Sequence, residues 1–284
     1  MIRAREGVFE GAGGTVLRWR LWLPDHPRAA VLIVHGWGEH AGRYEMVAGT
    51  LTGRGLAVFA YDQRGHGRSE GARGHVDRFD DLVADLGRAR DEAADRIGEP
   101  GITWVTLGHS LGGLVVLRAL DTGLVGVAAA VISAPWLATA VPVSPLRRRL
   151  AEALDHVWPS VGLPTGTRPE LLTRDPRMIR EYREDPLNHS RMSPRLFFEV
   201  ERTQAHVLQM PPLVRVPTLM LVPEADLLVD PATSIAYAEK RAGHGMELLR
   251  LPGLRHEPLN EVEREDVLRQ VGSWMDGALD GSRG

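Results

Sequence analysis

The stretch Gly108-His109-Ser110-Leu111-Gly112-Gly113 constrains this chain more than any other, because it stands between the apolar run Ile102 to Leu107 and the apolar-periodic segment Leu114 to Leu120. It reads as strand, sharp turn, helix. In a turn of the G-x-S-x-G kind the serine takes a strained conformation, and the residues two places to either side must be small because the backbones crowd there. Gly108 and Gly112 meet that need. The geometry lifts the Ser110 hydroxyl above the strand end, sets a helix N-terminus beneath it and leaves the Leu111 N–H free to donate.

Such an elbow requires a sheet, and the rest of the chain supplies one. Continuous apolar runs at Ala29 to Val34, Gly55 to Tyr61, Ile102 to Leu107, Val125 to Ile132, Pro217 to Val222 and Glu247 to Leu251 read as strands. Runs without a polar alternate are those buried on both faces of a parallel sheet. Helical patterns at Tyr44 to Gly53, Asp80 to Ile97, Pro231 to Arg241 and Glu261 to Met275 alternate with them. This predicts an α/β architecture, a mostly parallel sheet with helices on both faces. Gly11 to Gly14 separates two short strands, Gly7 to Glu10 and Thr15 to Leu23, and reads as a hairpin turn. A phosphate-cradling loop would open a helix instead. The rhythm breaks between Leu137 and Leu213, where helical stretches, prolines and arginines predict an inserted helical cap, 137–213, on a core made of 1–136 and 214–284. Within it, Leu146 to Trp158 sets an apolar stripe beside Arg147, Arg148 and Arg149, a pattern that packs inward or rests transiently on a membrane surface.

Composition excludes several classes. A net charge of −3 gives no reason to expect nucleic acid, and the absence of cysteine removes disulfides, thiol nucleophiles and Cys-ligated zinc. His35, Glu39 and His40 match neither zinc-binding spacing, so neither metal nor cofactor is expected. The opening residues lack the apolar run of a signal peptide, and no stretch approaches the ~20 apolar residues of a membrane span. The expected setting is cytoplasmic, with peripheral membrane contact through the cap.

Order and sheet edge then assign partners to Ser110. Where an elbow serine works with an acid and a histidine, the three follow the order Ser, Asp or Glu, His and project from the C-terminal ends of strands. His244 precedes its strand, whereas His256 follows one. Asp226 lies four residues past the strand ending at Val222, with Glu224 and Asp230 as competitors. The glycine-flanked loop His35-Gly36-Trp37-Gly38 follows an early strand and reads either as a plain strand-to-helix turn or as the place where the Trp37 N–H would join that of Leu111 as an oxyanion donor. The loop Asp62 to Ser69, dense in turn residues and charge, reads by itself as solvated.

Several of these motifs together carry a resemblance. His35-Gly36-Trp37-Gly38-Glu39-His40 with Gly42-Arg43-Tyr44, Asp62-Gln63-Arg64-Gly65-His66-Gly67-Arg68-Ser69, Gly108 to Gly113, Ser133-Ala134-Pro135 and Asp185-Pro186-Leu187 resemble the monoacylglycerol lipase and lysophospholipase family of α/β-hydrolases over nearly the whole chain. The resemblance implies a mobile cap over an apolar acyl tunnel, single-chain glycerol esters as substrates, and Glu39 and Arg43 near the polar head of the substrate. A lysophospholipase or a general carboxylesterase is the near alternative. The chain departs from the family at Val222 and Pro223, where a histidine and a glycine are usual, and at Trp37 and Trp136, where small or aliphatic residues are usual. Two indoles beside the nucleophile predict a preference for short to medium acyl chains or aromatic esters.

Overall fold

Apolar runs with no polar face have to be covered on both sides, and the chain answers with a sheet between two helical layers. The computed structural model describes residues 2–123, 126–211 and 216–281. Its elements in chain order are β1 (Arg5–Glu10), β2 (Val16–Trp22), β3 (Ala29–Val34), α1 (Glu45–Thr52), β4 (Leu56–Tyr61), α2 (Phe79–Ile97), β5 (Trp104–His109), α3 (Leu111–Thr122), β6 (Ala129–Ser133), α4 (Pro145–Val157), β7 (Leu163–Pro164), α5 (Pro176–Glu184), β8 (Arg191–Met192), α6 (Pro194–Gln209), β9 (Thr218–Pro223), α7 (Pro231–Glu239), β10 (Met246–Leu251) and α8 (Arg264–Gly281).

Eight strands form one sheet in the order β1-β2-β4-β3-β5-β6-β9-β10. Only β2 runs against its neighbours. Strands β4, β3, β5, β6, β9 and β10 pair in parallel, so their C-terminal ends share one edge. Successive side chains alternate between faces. Ala30, Leu32 and Val34 of β3 join the core layer under α2 and α3, while Val31 and Ile33 join the layer under α1 and α8. This is the α/β-hydrolase fold. Val125, Leu213 and Val214, at predicted boundaries, lie outside the described residues, as do Met1 and the residues after 281. Strand β6 is described from Ala129.

Between β6 and β9 the chain leaves the sheet. There α4 buries none of its residues, whereas α6 sends Leu196, Val200 and Val207 into the core beside α3. The loop Asp62 to Ser69 is a buttress and not the solvated loop that its composition suggests. Gln63 and His66 are fully enclosed. Asp62 accepts from the Ala41 and Arg68 N–H groups at 2.9 and 2.8 Å, and the Gln63 amide donates to the His35 carbonyl at 2.6 Å. Composition misjudged this loop because Asp62, Gln63 and Arg64 bond to protein groups elsewhere in the fold and not to water. Next in that loop, Arg64 reaches Asp85 of α2 through two hydrogen bonds of 2.6 and 2.7 Å, and Asp85 has no solvent exposure.

Removing one partner of a buried pair strands the other charge. Arg64→Ala is therefore expected to lower stability by about 3 kcal/mol. The check is a urea unfolding curve, in which the midpoint falls at an unchanged slope.

Candidate active site

The elbow is held by contacts that a side chain on either glycine would destroy. A Cβ on Gly112 would lie 2.1 Å from the Val34 carbonyl oxygen, and one on Gly108 would lie 2.5 Å from the Gly112 carbonyl oxygen. Close approach of α3 to the end of β3 forces Ser110 to φ 52° and ψ −113°. Non-glycine residues rarely occupy this region, and the cost is met by surrounding bonds. The Ser110 N–H donates to Ser133 at 2.9 Å, and the Trp136 N–H donates to the Ser110 carbonyl at 3.1 Å. Ala134, between those partners, also has a positive φ of 45°.

At the shared sheet edge the structure brings together Ser110 after β5, Asp226 after β9 and His256 after β10. His256 Nε2 lies 2.9 Å from Ser110 Oγ, and His256 Nδ1 lies 2.7 Å from Asp226 Oδ2. The other Asp226 oxygen accepts from the Leu228 and Val229 N–H groups at 2.8 and 3.1 Å, which fixes the carboxylate plane. The competing acids have other partners. Glu224 pairs with Arg250, and Asp230 caps α7 through the Thr233 N–H at 3.0 Å. Departure from the family at Val222 and Pro223 leaves the loop able to deliver Asp226. Leu111 is the first residue of α3, so its N–H has no intrahelical acceptor. Trp37 turns through Gly36, whose Cβ position would lie 3.2 Å from Ser110 Cβ. Both N–H groups sit on the strand-end side of the elbow.

Electrostatics at this edge are dominated by burial and paired charge. Burial depresses the His256 pKa, but Asp226, through charge and hydrogen bond, and then Glu257 and Glu39 outweigh it, so the imidazole lies above its ordinary value of 6.5. Burial raises Asp226, yet His256 and the two backbone donors bring it below the usual carboxylate range. His109, 4.9 Å from His256 between ring centres, is pushed down to about 4 by burial and by His256. The relay therefore has one histidine poised to accept a proton and a neighbour that stays neutral.

Glu39 and Arg43 belong to a buried network that includes a residue sequence reasoning missed, Glu257. Arg43 makes hydrogen bonds of 2.6 and 2.7 Å to the two Glu257 oxygens and one of 2.8 Å to Glu39. The adjacency of Glu257 to His256 was the one available signal. His35, Glu39 and His40 turn to separate partners, Gln63, Arg43 and Asp185 respectively.

A cavity of about 1100 Å³ opens over Ser110 and His256. Trp37 and Trp136 line it with the nucleophile, and Val141, Leu163, Met192 and Phe197 extend the wall from the segment between β6 and β9. A hydroxyl, a base held by a carboxylate, a helix N-terminus at Leu111 and an apolar cavity together can perform acyl transfer.

Comparison with known proteins agrees. A family profile described as "Serine aminopeptidase, S33" matches residues 25–263. The chain is 33% identical to a monoacylglycerol lipase of Mycolicibacterium smegmatis over 273 residues, 95% of this chain and 96% of that protein. It is 27% identical to a phospholipase of Bacillus subtilis over 260 residues, 90% of this chain and 98% of that protein. Among solved structures, Paleococcus ferrophilus monoacylglycerol lipase superposes with a TM-score of 0.79 at 29% identity, covering 98% of this chain and 100% of that one.

The base must be neutral to accept a proton. Since His256 is raised, kcat/KM for a soluble nitrophenyl ester is expected to fall as pH decreases through a midpoint above 6.5. A pH–rate profile reads that midpoint directly.

Proposed function

Because the chain belongs to the hydrolase family described as serine aminopeptidase, S33, we propose that it cleaves the ester bond of monoacylglycerols through an acyl-enzyme on Ser110. The observation that carries this reading is the hydrogen-bonded relay Ser110, His256, Asp226 at the floor of an apolar cavity. His256 takes the Ser110 proton as Oγ attacks the carbonyl carbon, and Asp226 stabilises the imidazolium. Trp37 and Leu111 N–H groups hold the oxyanion, each worth about 3 kcal/mol. As the intermediate collapses, His256 returns the proton to the departing glycerol oxygen. Water, activated by the same imidazole, then releases the fatty acid.

The family's description names aminopeptidases, which bind a substrate ammonium with a free carboxylate. Glu39 and Glu257 face the cavity, but all four of their oxygens already accept from protein donors: Gly36, Tyr44, Arg43 and Asn260. An ester with a neutral glycerol head fits such a wall better than an amine. Trp37 and Trp136 narrow the approach to Ser110, which favours short to medium acyl chains and aromatic esters.

The segment 137–213 acts as the cap over this cavity. On α4, Leu146, Val157 and the following Trp158 are 79, 85 and 60% exposed, close to Arg147 and Arg149. That combination suits shallow, transient contact with an anionic lipid surface. No helix among the described residues is long and apolar enough to cross a membrane.

A substrate panel run on the native protein and on Ser110→Ala tests the reaction. Monoacylglycerols and medium-chain nitrophenyl esters are expected to be cleaved faster than long-chain esters, lysophosphatidylcholine or aminoacyl anilides, and Ser110→Ala is expected to lose about 10⁴-fold or more in kcat. Undiminished turnover in the variant would overturn the mechanism. For the surface, the double variant Leu146→Ser with Trp158→Ser is expected to bind anionic vesicles less in a sedimentation assay and to keep its rate on a soluble ester.

A further inference from the structure

The proposed reaction needs two loops in fixed relation: the loop after β3, which carries the Trp37 N–H, and the loop after β10, which carries His256. Neither is part of a regular element, and they come from opposite halves of the chain. One side chain joins them. On the first loop, Glu39 accepts from the Gly36 N–H at 2.6 Å and from the Tyr44 hydroxyl at 2.9 Å, so its carboxylate sets the turn that presents Trp37. On the second, Glu257 follows His256 directly and is braced by the Asn260 amide at 3.0 Å. The Arg43 guanidinium sits between the carboxylates and bonds both. Its face lies 4.8 Å from the centre of the Tyr182 ring on α5.

Arg43 stands behind the wall of the cavity, whereas Glu39 and Glu257 are part of it. The Arg43 side chain is 9% exposed and those of the two acids are 4 and 5% exposed. A guanidinium whose fork is already filled by two buried carboxylates has little left for a substrate head. We propose that Arg43 is a positioning residue, a clamp that holds the oxyanion loop against the general-base loop and screens His256 from two carboxylates. This differs from the head-group contact that the family resemblance implies for Arg43, and it rests on the serine-hydrolase reading above.

Charge follows from the same geometry. Glu39 is held down at about 2, because Arg43, with His109, His35 and the Gly36 N–H, outweighs the burial that would raise it. Glu257 is lowered in the same way, chiefly by Arg43 against burial. His256 is faced by Asp226, by Glu257 and Glu39, and by His109. With Arg43 gone, the negative charge that Glu39 and Glu257 keep would act on His256 without a counter-charge.

Arg43→Gln, Arg43→Lys and Glu257→Gln, each beside the native protein, test the clamp with two readouts: nitrophenyl ester kinetics, and the rate of Ser110 modification by a fluorophosphonate across pH. In Arg43→Gln, kcat is expected to fall about 10- to 100-fold from loop misplacement. KM should change by less than about threefold, because no substrate contact is lost. The acid-side midpoint for both ester turnover and labelling should rise by about one pH unit. Arg43→Lys keeps the charge without the fork, so its midpoint should stay near native with an intermediate kcat. Glu257→Gln removes a negative charge next to His256 and should move the midpoint downward, which decides the matter even where Arg43→Gln fails to fold. A raised KM at unchanged kcat would overturn the clamp in favour of head-group binding. Midpoints unmoved in every variant would reduce Arg43 to a packing role. A native protein that takes no label at Ser110 would instead sink the serine-hydrolase reading itself.

Discussion

The close approach of α3 to the end of β3 is the contact on which the site depends. With no side chain at Gly112, the helix backbone can rest against the Val34 and His35 carbonyls, which would lie 2.1 and 2.4 Å from a Cβ there. That packing forces Ser110 into positive φ and aims its hydroxyl at His256. The loop after β6 then stabilises the strained residue from both sides, through Ser133 and Trp136. A further strap follows from it: Ala140 and Asp230 N–H groups bond Leu228 and Ala138 across to the loop that carries Asp226. Strain at one residue thus draws together the ends of neighbouring strands, because a preorganised site must be built from rigid surroundings.

Charge at this edge is arranged so that each member restrains the next. Burial by itself pushes Glu39 and Glu257 upward, since desolvation disfavours the charged form, and Arg43 outweighs it. Arg43 keeps both ionised, and they in turn raise His256 together with Asp226. The cavity therefore presents carboxylates whose four oxygens all accept from protein donors, with one acceptor position left on Glu39 Oε2 and one on Glu257 Oε1.

The segment over the cavity has two characters. Its α5 side is fastened to the loop after β3: Asp185 meets His40 at 2.8 Å, and the His189 N–H donates to the Gly38 carbonyl at 2.9 Å. Gly38 itself, at φ 78°, would place a Cβ 2.4 Å from the His189 carbonyl oxygen. Neither α4 nor α5 buries a residue completely; α4 turns Leu150 and Ala151 to the cavity and leaves Leu146 and Val157 exposed. The α4 side of the segment is tied to α6 instead, through Arg148 to Glu201 at 2.6 Å and Arg195 to Asp155 at 2.7 Å.

What the sequence by itself determined was the local and ordered part of this protein. Continuous apolar runs specified strands β3, β4, β5, β6 and β9, the glycines of 108–113 specified the elbow, and chain order with sheet edge singled out His256 over His244. Short-range periodicity and the rules of parallel sheets suffice for these, since each is written within a few neighbouring residues. Asp226 could be preferred over Glu224 and Asp230 by spacing, but only the fold shows those two occupied by Arg250 and the α7 N-terminus. The burial of Asp62 to Ser69 and the clamp of Arg43 on Glu257, 214 residues apart, were decided by tertiary structure alone. A polar side chain looks the same in sequence whether water or a distant backbone satisfies it, and only the folded chain reveals which.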